Sequence, residues 1–361
     1  MRRDVKRTLA TLCYVGLALF CNTPRQPRKE VLLSESENAY NPIPNLDGAL
    51  ITYVRTGWGR EGGSGGFGRS NLRSEVMVMN ADGTLLTRKP LMDAFLSGWT
   101  SDGKNLICYR DWEYFLVPVG GETVTRGQIP NTDQLDNGSE RVSYLSSVDS
   151  PVWIQNDSPE AVIQTPRSEI ARYPGQLGEL IIPSPDERYI AVASARNSHL
   201  LVYDRRDNSW SNLGAVTIHP DSEWDYIKPS WNPWFSDSAR LTFISGSSLV
   251  ISSPDGRDKQ IVAEVGNKAG LAVPAPDGEL IAYATFEDRP KKLRQDLKFW
   301  GGSTLWVIST ARGAKAYPVT GKHLDTTYCL RWLNREQLVF DRIADESFYS
   351  RARLWKAQVP R

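Results

Sequence analysis

The sequence predicts an all-β fold, a single β-propeller of four-stranded antiparallel blades, with seven blades favoured and six as the alternative. A hairpin phrase recurs along the chain, and repeats of this kind decide an architecture before any single residue does. The 12 Trp, 14 Tyr, 10 Phe, 28 Gly and 22 Pro suit short strands joined by turns better than helices. Units of about 40–50 residues tile the chain without helical segments between them, which is typical of propeller blades.

The recurring phrase is an apolar pair, a turn closed by Asp, one long polar residue and an alternating apolar run, which predicts a tight β-hairpin. It is clearest at residues 181–193, where Pro183 and Asp186 frame the turn. Similar phrases occupy residues 42–53, 98–109 and 271–283. A further strand and turn follow each hairpin, so each unit has four strands. The third strands of the first, fourth, sixth and last units are predicted at residues 76–79, 200–203, 304–308 and 354–355.

The number of units depends on two less regular regions. The interval between Asp102 and Asp186 leaves room for a degenerate unit around 142–145 and 152–154, which gives seven units in total. If residues 125–178 are instead an elaborated loop, the count is six. In the fifth unit, Trp231 is assigned the slot before the turn that Trp99 and Trp332 take in the second and last units.

The charge balance predicts no strong long-range field, because 43 Lys and Arg stand against 42 Asp and Glu. Binding to nucleic acid or to an anionic membrane surface is therefore not expected. Cys108 and Cys329 each lie in an apolar strand-like run and are interpreted as buried, unpaired residues, with a disulfide as the alternative. The chain has no CxxC motif and three dispersed histidines, so neither a metal site nor a cofactor is expected.

Residues 1–21 predict a secretory signal peptide, since a basic start precedes an apolar run that is short for a membrane span. A lipid-modified Cys21 and an uncleaved anchor are the alternatives, because Phe20 stands where a small residue is preferred before cleavage. Residues 22–40 are predicted to be a linker with a ring-closing strand at 31–33, and residues 41–361 to be the propeller domain. The expected location is the periplasm or the cell envelope.

Three phrases carry a resemblance to a known family. They are Pro183-Ser184-Pro185-Asp186, Ala275-Pro276-Asp277-Gly278 and Thr100-Ser101-Asp102-Gly103, which with the apolar runs after them resemble the WD-related repeats of TolB-type periplasmic β-propellers. The resemblance covers roughly residues 40–357 and implies an exported binding or scaffold propeller. The same blade type occurs in TolB, in the propeller of prolyl-oligopeptidase-type enzymes and in oligogalacturonate lyases. It is therefore specific for the fold and not for the function, and the small amino-terminal α/β domain of TolB has no counterpart here.

The two faces of the predicted ring differ in loop length. With strands A to D running outwards in each blade, the A–B and C–D turns share one face, and the B–C and D–A loops share the other. The Asp-containing turns fall on the first, the short-turn face, whereas the long insertions fall on the second, the long-loop face. These insertions span residues 55–74, 125–141, 219–228 and 287–303. Insertions in repeat proteins gather on the binding face, so a ligand or partner is expected there, with neutral loop growth as the alternative.

Aromatic and cationic side chains of three inserted loops are the candidate binding residues. The glycine-rich loop at 57–70 lacks the ending of a P-loop, so nucleotide binding is not expected. A flexible linker is the favoured interpretation, with a mobile lid that contacts a ligand as the functional alternative. The loop at 287–300 is rich in cations, and the loop around 224–234 offers indole rings for stacking a sugar or a peptide. The candidates are Trp58, Arg60, Phe67, Arg69, Trp224, Trp234, Phe299 and Trp300.

Signals for catalysis are weak. There is no Gly-x-Ser-x-Gly motif, and Asp47, Asp102, Asp186 and Asp277 stand one per unit at turns, where Asp accepts local backbone hydrogen bonds. No catalytic residue is therefore assigned. The expected function is a monomeric, non-catalytic module that binds a protein or a cell-envelope component and touches the membrane only through an amino-terminal anchor. The alternative is a propeller enzyme, a lyase or hydrolase that acts on a sugar or lactone in the central funnel.

Deleting residues 2–21 is expected to retain the protein in the cytoplasm, because the apolar run is the export signal. Fractionation of cells that express the tagged full-length and deleted chains measures this. Mass spectrometry of the mature amino terminus then separates cleavage, acylation of Cys21 and retention of the segment. A full-length chain found with the cytoplasmic proteins would contradict the prediction.

Overall fold

The predicted propeller of seven blades is confirmed, since seven antiparallel sheets follow one another around a ring. A computed structural model describes residues 30–34, 38–58, 72–86, 88–110, 113–120, 124–128, 142–157, 159–193, 198–219, 230–287, 301–323, 325–343 and 352–360. In these segments the only helical element is a 3-10 turn at Ser146–Val148. No helix in the described part of the chain is long and apolar enough to span a membrane.

Each blade is an antiparallel meander whose A strand is innermost. The first strand of the chain, β1 (Glu30–Leu32), belongs to the last blade. Blade one comprises β2 (Ala39–Pro44), β3 (Leu50–Trp58), β4 (Leu72–Asn80) and β5 (Met92–Asp93). Blade two comprises β6 (Phe95–Trp99), β7 (Asn105–Arg110), β8 (Glu113–Pro118) and β9 (Thr125–Gln128). Blade three comprises β10 (Ser143–Leu145), β11 (Ser150–Asp157), β12 (Glu160–Gln164) and β13 (Glu169–Tyr173).

The remaining blades continue in the same order. Blade four comprises β14 (Leu180–Pro183), β15 (Tyr189–Ala193), β16 (Ser198–Asp204) and β17 (Ser209–Val216), and blade five comprises β18 (Leu241–Ser245), β19 (Ser248–Ser252) and β20 (Lys259–Glu264). Blade six comprises β21 (Ala269–Pro274), β22 (Leu280–Glu287), β23 (Gly301–Ser309) and β24 (Tyr317–Pro318). Blade seven comprises β25 (Leu330–Asn334), β26 (Gln337–Ile343) and β27 (Ala352–Gln358), together with β1. In blade five the innermost strand is reduced to a single bridge between Trp234 and Leu241.

The middle strands are apolar on both faces because each blade is packed between two others. In β15, Ile190, Ala191 and Val192 are all 0% exposed. Ile190 and Val192 pack in a cluster with blade three, whereas Ala191 packs in the cluster that continues through blades five to seven. The continuous apolar runs of the sequence therefore indicate strands that are buried on both faces. A strand with one face in water would instead show alternating apolar and polar residues.

The ring closes through β1, which pairs with β27 as the outermost strand of blade seven, with Val31 opposite Lys356. The Glu30 carboxylate reinforces this junction by accepting from Arg342 Nη2 at 2.7 Å and from the Gly321 N–H at 3.1 Å. The Arg342 side chain is 2% exposed, so this ion pair is shielded from water and from salt. The two ends of the propeller domain are thus held in one sheet.

The acids at the turns close hairpins, as their position in the repeat predicted. In each case one carboxylate oxygen accepts a hydrogen bond from the backbone N–H two residues further on. The pairs are Asp47 with Ala49, Asp102 with Lys104, Asp186 with Arg188, Asp237 with Ala239, and Asp277 with Glu279. At Gly48 the turn also approaches blade seven so closely that a Cβ would lie 1.9 Å from the Leu333 carbonyl oxygen. Only glycine fits there.

Glu187 occupies the turn position that glycine takes at Gly48, Gly103 and Gly278, and it adopts a positive φ of 59°. This conformation costs about 1 kcal/mol for a residue with a side chain. The carboxylate offsets the cost by joining three blades, since it accepts from Ser101 Oγ at 2.7 Å, from Ser146 N at 2.7 Å and from Ser147 N at 2.8 Å. Glu187 therefore anchors the turns of blades two, three and four to one another.

Glu187→Gln is expected to lower the free energy of unfolding by about 1–3 kcal/mol at neutral pH, because its amide group presents a donor to groups that are themselves donors. Burial acts to raise the pKa of the Glu187 carboxyl, but the hydrogen bonds from Ser147, Ser101 and Ser146 outweigh it and hold the pKa below 4.5. The carboxylate contribution is therefore complete above the unfolded pKa and is lost as the pH falls through the lower folded pKa.

Urea unfolding of both proteins across this pH range tests the prediction. The difference between wild type and variant should shrink on acidification. A difference that does not change with pH would contradict the role given to the carboxylate.

Candidate binding site in the central channel

A cavity of about 470 Å³ occupies the centre of the ring and is lined by residues of all seven blades. Most of its lining comes from the A strands and from the A–B turns. The turn residues at its mouth are exposed, and Leu46 is 75% exposed. The cavity therefore opens on the short-turn face, which the sequence analysis treated as structural and not as the binding face.

Four indole N–H groups hold the walls of the channel by donating to carbonyl oxygens of neighbouring A strands. These bonds run from Trp99 to Ile43 at 3.1 Å, from Trp231 to Ala272 at 2.7 Å, from Trp234 to Ile182 at 2.9 Å and from Trp332 to Val273 at 3.0 Å. Three of the acceptor residues are followed by a proline, Pro44, Pro183 or Pro274, which is the last residue of its A strand. Proline suits the inner edge of a blade because it has no N–H group that would need a hydrogen-bond partner there. Trp in blades two, five and seven thus pairs with Pro in blades one, four and six.

The slot assigned to Trp231 from the sequence was wrong, because Trp234 takes it. Trp234 faces Leu241 as Trp99 faces Leu106 and as Trp332 faces Leu338. Trp234 was proposed as a stacking residue of the long-loop face, but it is 4% exposed and lies near the opposite, short-turn end of the channel. Its ring stacks on Tyr189, so its position is that of a packing residue between blades four and five.

The side chains of the other candidates are outside the described part of the protein. The backbone of Trp58 ends β3 and pairs with Leu72. The remaining predicted binding residues lie outside the described residues; they are Arg60, Phe67, Arg69, Trp224, Phe299 and Trp300. Strands β3 and β22 both end, and β4 and β23 both begin, at the long-loop face, so two of the long insertions leave the ring where the sequence placed them.

The long-loop end of blades one and seven carries buried polar groups that have no hydrogen-bond partner among the described residues. Thr56 is 5% exposed, and Thr326 and Arg342 are each 2% exposed. The atoms concerned are Asn38 Oδ1, Asn41 Oδ1, Thr56 Oγ1, Thr326 Oγ1 and Arg342 Nη1. Most buried polar atoms in proteins are paired, so a cluster of this kind needs an explanation.

Asp341 lies beside this cluster and is fully engaged. Its two oxygens accept from the backbone N–H groups of Tyr328 at 2.8 Å, Cys329 at 2.9 Å and Asn41 at 3.2 Å. Burial raises the pKa of its carboxyl to about 6, against the lowering effect of these hydrogen bonds. The carboxylate thus ties the A strand of blade one to that of blade seven.

Two charged residues line the channel among the described residues, and sequence reasoning missed both. Glu187 stands where other turns have glycine, and this departure from the repeat was the available signal. Arg331 directly precedes Trp332, in a slot that is Ile43, Ile182 and Val273 in the proline-bearing blades. A cation in an otherwise apolar slot was the signal for Arg331.

The described residues contain no group of three or more His, Cys, Asp and Glu side chains arranged to hold a metal ion. Cys108 and Cys329 are buried thiols that are not joined in a disulfide. Burial raises the pKa of the Cys108 thiol to about 12, which makes it a packing residue. His219 is 2% exposed and stacks on Tyr328, and burial lowers its pKa to about 3. These side chains support the core.

No protein-family model matches the sequence, and no curated protein matches it. Solved structures do resemble it. The β-propeller domain of Cps50 (Swd1) from Myceliophteria thermophila is 11% identical with a TM-score of 0.53, over 92% of this chain and 100% of that one. A chain in the crystal structure of the Mitotic Checkpoint Complex is 12% identical with a TM-score of 0.53, over 94% and 95% of the two chains. At these identities the likeness shows a WD40-like β-propeller fold and nothing finer.

Trp234→Phe is expected to lower the free energy of unfolding by about 1 kcal/mol, because it keeps an aromatic ring and removes the N–H that binds the Ile182 carbonyl. Urea unfolding measures this. Trp355→Phe is the matched control, since its ring lies 4.8 Å from the Arg342 guanidinium and its N–H makes no hydrogen bond within the described residues. Equal losses in the two variants would contradict the role given to the indole N–H.

Proposed function

We propose that the chain is an exported, TolB-like β-propeller that acts as a non-catalytic module and binds a protein or cell-envelope component on its long-loop face. The observation that carries the proposal is the position of two long insertions, because β3 and β22 end, and β4 and β23 begin, at this face. Insertions in repeat proteins gather on the binding face.

Two residues of blade one, Asn38 and Thr56, have polar atoms that are unpaired among the described residues, and they lie beside the insertion between β3 and β4. Asn38 and Thr56 are linked by a backbone hydrogen bond of 3.1 Å, and Thr56 lies two residues before the end of β3. The insertion between β3 and β4 contains Arg60, Phe67 and Arg69, three of the candidate binding residues. Asn38, Thr56 and the two ends of this insertion therefore lie at one edge of blade one.

The fold is consistent with a scaffold role. Propellers present a rigid ring from which loops project, and function in such folds resides on the loops. One of the similar structures is a chain of the Mitotic Checkpoint Complex, which by its name is a protein assembly. The basic and apolar start of the sequence supports placing this module outside the cytoplasm.

A photo-crosslinking residue in place of Phe67 is expected to give a covalent adduct of defined mass with one envelope component in living cells. The same residue in place of Leu46, which is 75% exposed on the short-turn face, is expected to give none. An adduct from position 46 alone would show that the face is wrongly assigned. Equal adducts from both positions would show unspecific contact and overturn the proposal.

The double substitution Arg60→Ala and Arg69→Ala is expected to abolish the adduct from position 67 with the thermal unfolding midpoint unchanged. Arg257→Ala is the matched control, because its side chain is 87% exposed on the C–D turn of blade five, on the opposite face. An adduct that survives the double substitution would remove these two arginines from the interface.

A further inference from the structure

Arg331 is the one cationic side chain among the described residues that line the channel. It is the second residue of β25, in the register slot that Ile43 holds before the proline that ends β2. Its side chain therefore lines the channel wall two residues before Leu333, whose carbonyl oxygen meets the Gly48 turn of blade one. Its Nη1 donates to the carbonyl oxygens of Ser230 at 2.8 Å and Leu330 at 3.0 Å, and its Nη2 donates to Ser230 Oγ at 2.6 Å. These bonds fix the plane of the guanidinium.

The same bonds leave one edge of the guanidinium open. Arginine has five N–H donors, and Nη1 has used both of its hydrogens. The Nε–H and the second Nη2–H remain, and these two point in parallel from one edge of the plane. This is the geometry with which arginine binds a carboxylate through two hydrogen bonds.

Within the described residues, no ion pair balances the charge of Arg331. No carboxylate of the described residues lies within 4.0 Å of it, and Asp341 acts on it only from beyond that distance. Both oxygens of Asp341 already accept backbone N–H groups. Burying a cation without a partner costs free energy, so the channel wall at Arg331 favours an anionic group.

The A–B turns next to the channel mouth carry acids, and Asp47 and Asp277 each follow a lining residue, Leu46 and Pro276. Asp102 and Asp237 are paired there with Lys104 and Arg240. Asp47 and Asp277 make no ion pair with described residues, and they stand on blades one and six, which flank blade seven. A simple anion is therefore disfavoured at the mouth, whereas a ligand with a cationic end is favoured.

We propose that the central channel binds a small zwitterion, an amino acid or short peptide with free ends, whose carboxylate pairs with Arg331 and whose ammonium group faces Asp47 and Asp277. The cavity of about 470 Å³ is within the usual range for such ligands. Its indole and proline walls provide apolar contact, and Ser97 and Ser143 add hydroxyl groups. This site is on the face opposite to the proposed partner surface and does not depend on that proposal.

Calorimetric titration of the purified mature protein with alanine, trialanine, carboxy-amidated trialanine and amino-acetylated trialanine tests this. Alanine or trialanine with free ends is expected to bind at millimolar concentration or below. The comparison of these two ligands shows whether the cavity takes a single amino acid or a short peptide. Amidation is expected to weaken binding by about tenfold to a hundredfold, because the bidentate pair with Arg331 is lost. If neither free ligand binds, or if amidated and acetylated peptides bind as well as the free one, the proposal is overturned.

Variants locate the two ends of the ligand. Arg331→Gln is expected to abolish the distinction between free and amidated peptide, with thermal unfolding as the check that the protein is folded. The double variant Asp47→Asn and Asp277→Asn is expected to weaken free trialanine and leave the acetylated form unchanged. Asparagine preserves these turns, since Asn334 makes the same bond to the Glu336 N–H in blade seven.

Asp255→Asn is the control, because it makes the same change in a C–D turn of blade five, outside the channel lining. Equal weakening by the control and by the double variant would overturn the role of Asp47 and Asp277.

Discussion

Closure of the ring is the constraint on which the rest of the structure depends. An isolated blade would expose two apolar faces and two unpaired edges, and only a neighbour on each side removes the faces from water. The pairing of β1 with β27 makes that arrangement complete, because a strand from the start of the domain finishes the sheet at its end. The buried pair of Glu30 and Arg342 stabilises this junction, so blade seven is held from both directions.

The two ends of the ring treat their polar groups in opposite ways. At the short-turn end, turn acids accept backbone N–H groups, and the Glu187 carboxylate alone engages three blades. At the long-loop end, Thr56 and Thr326 are buried with hydroxyl groups that find no acceptor or donor among the described residues. Among the described residues, the hydrogen bonds that join blades through side chains are therefore more complete at the short-turn end than at the long-loop end.

The sequence predicted the architecture well because the determinants of a blade are local. A proline, an acid three residues later and an apolar run are enough to place a hairpin, whereas the irregular third blade was predicted only from the interval between Asp102 and Asp186. The error at Trp231 arose where the inner strand is reduced to one bridge, so that no run of residues marked its register. Arg331 and Glu187 were missed because their roles depend on contacts across blades, and such contacts are not encoded by position within one repeat.

The hydrogen bonds between tryptophan and the carbonyl before proline join blades in pairs, and the number of blades is odd. Each bond from an indole to the carbonyl before a proline couples a blade to the one before it, which joins blades one and two, four and five, and six and seven. Seven is odd, so a ring built from such couples must leave one blade single, and that blade is the third. It begins with the short strand β10, and the Glu187 carboxylate from blade four binds its first turn. Three pairs of blades are thus joined by indole hydrogen bonds to the carbonyl before a proline, and the remaining third blade is joined to blade four by the Glu187 carboxylate.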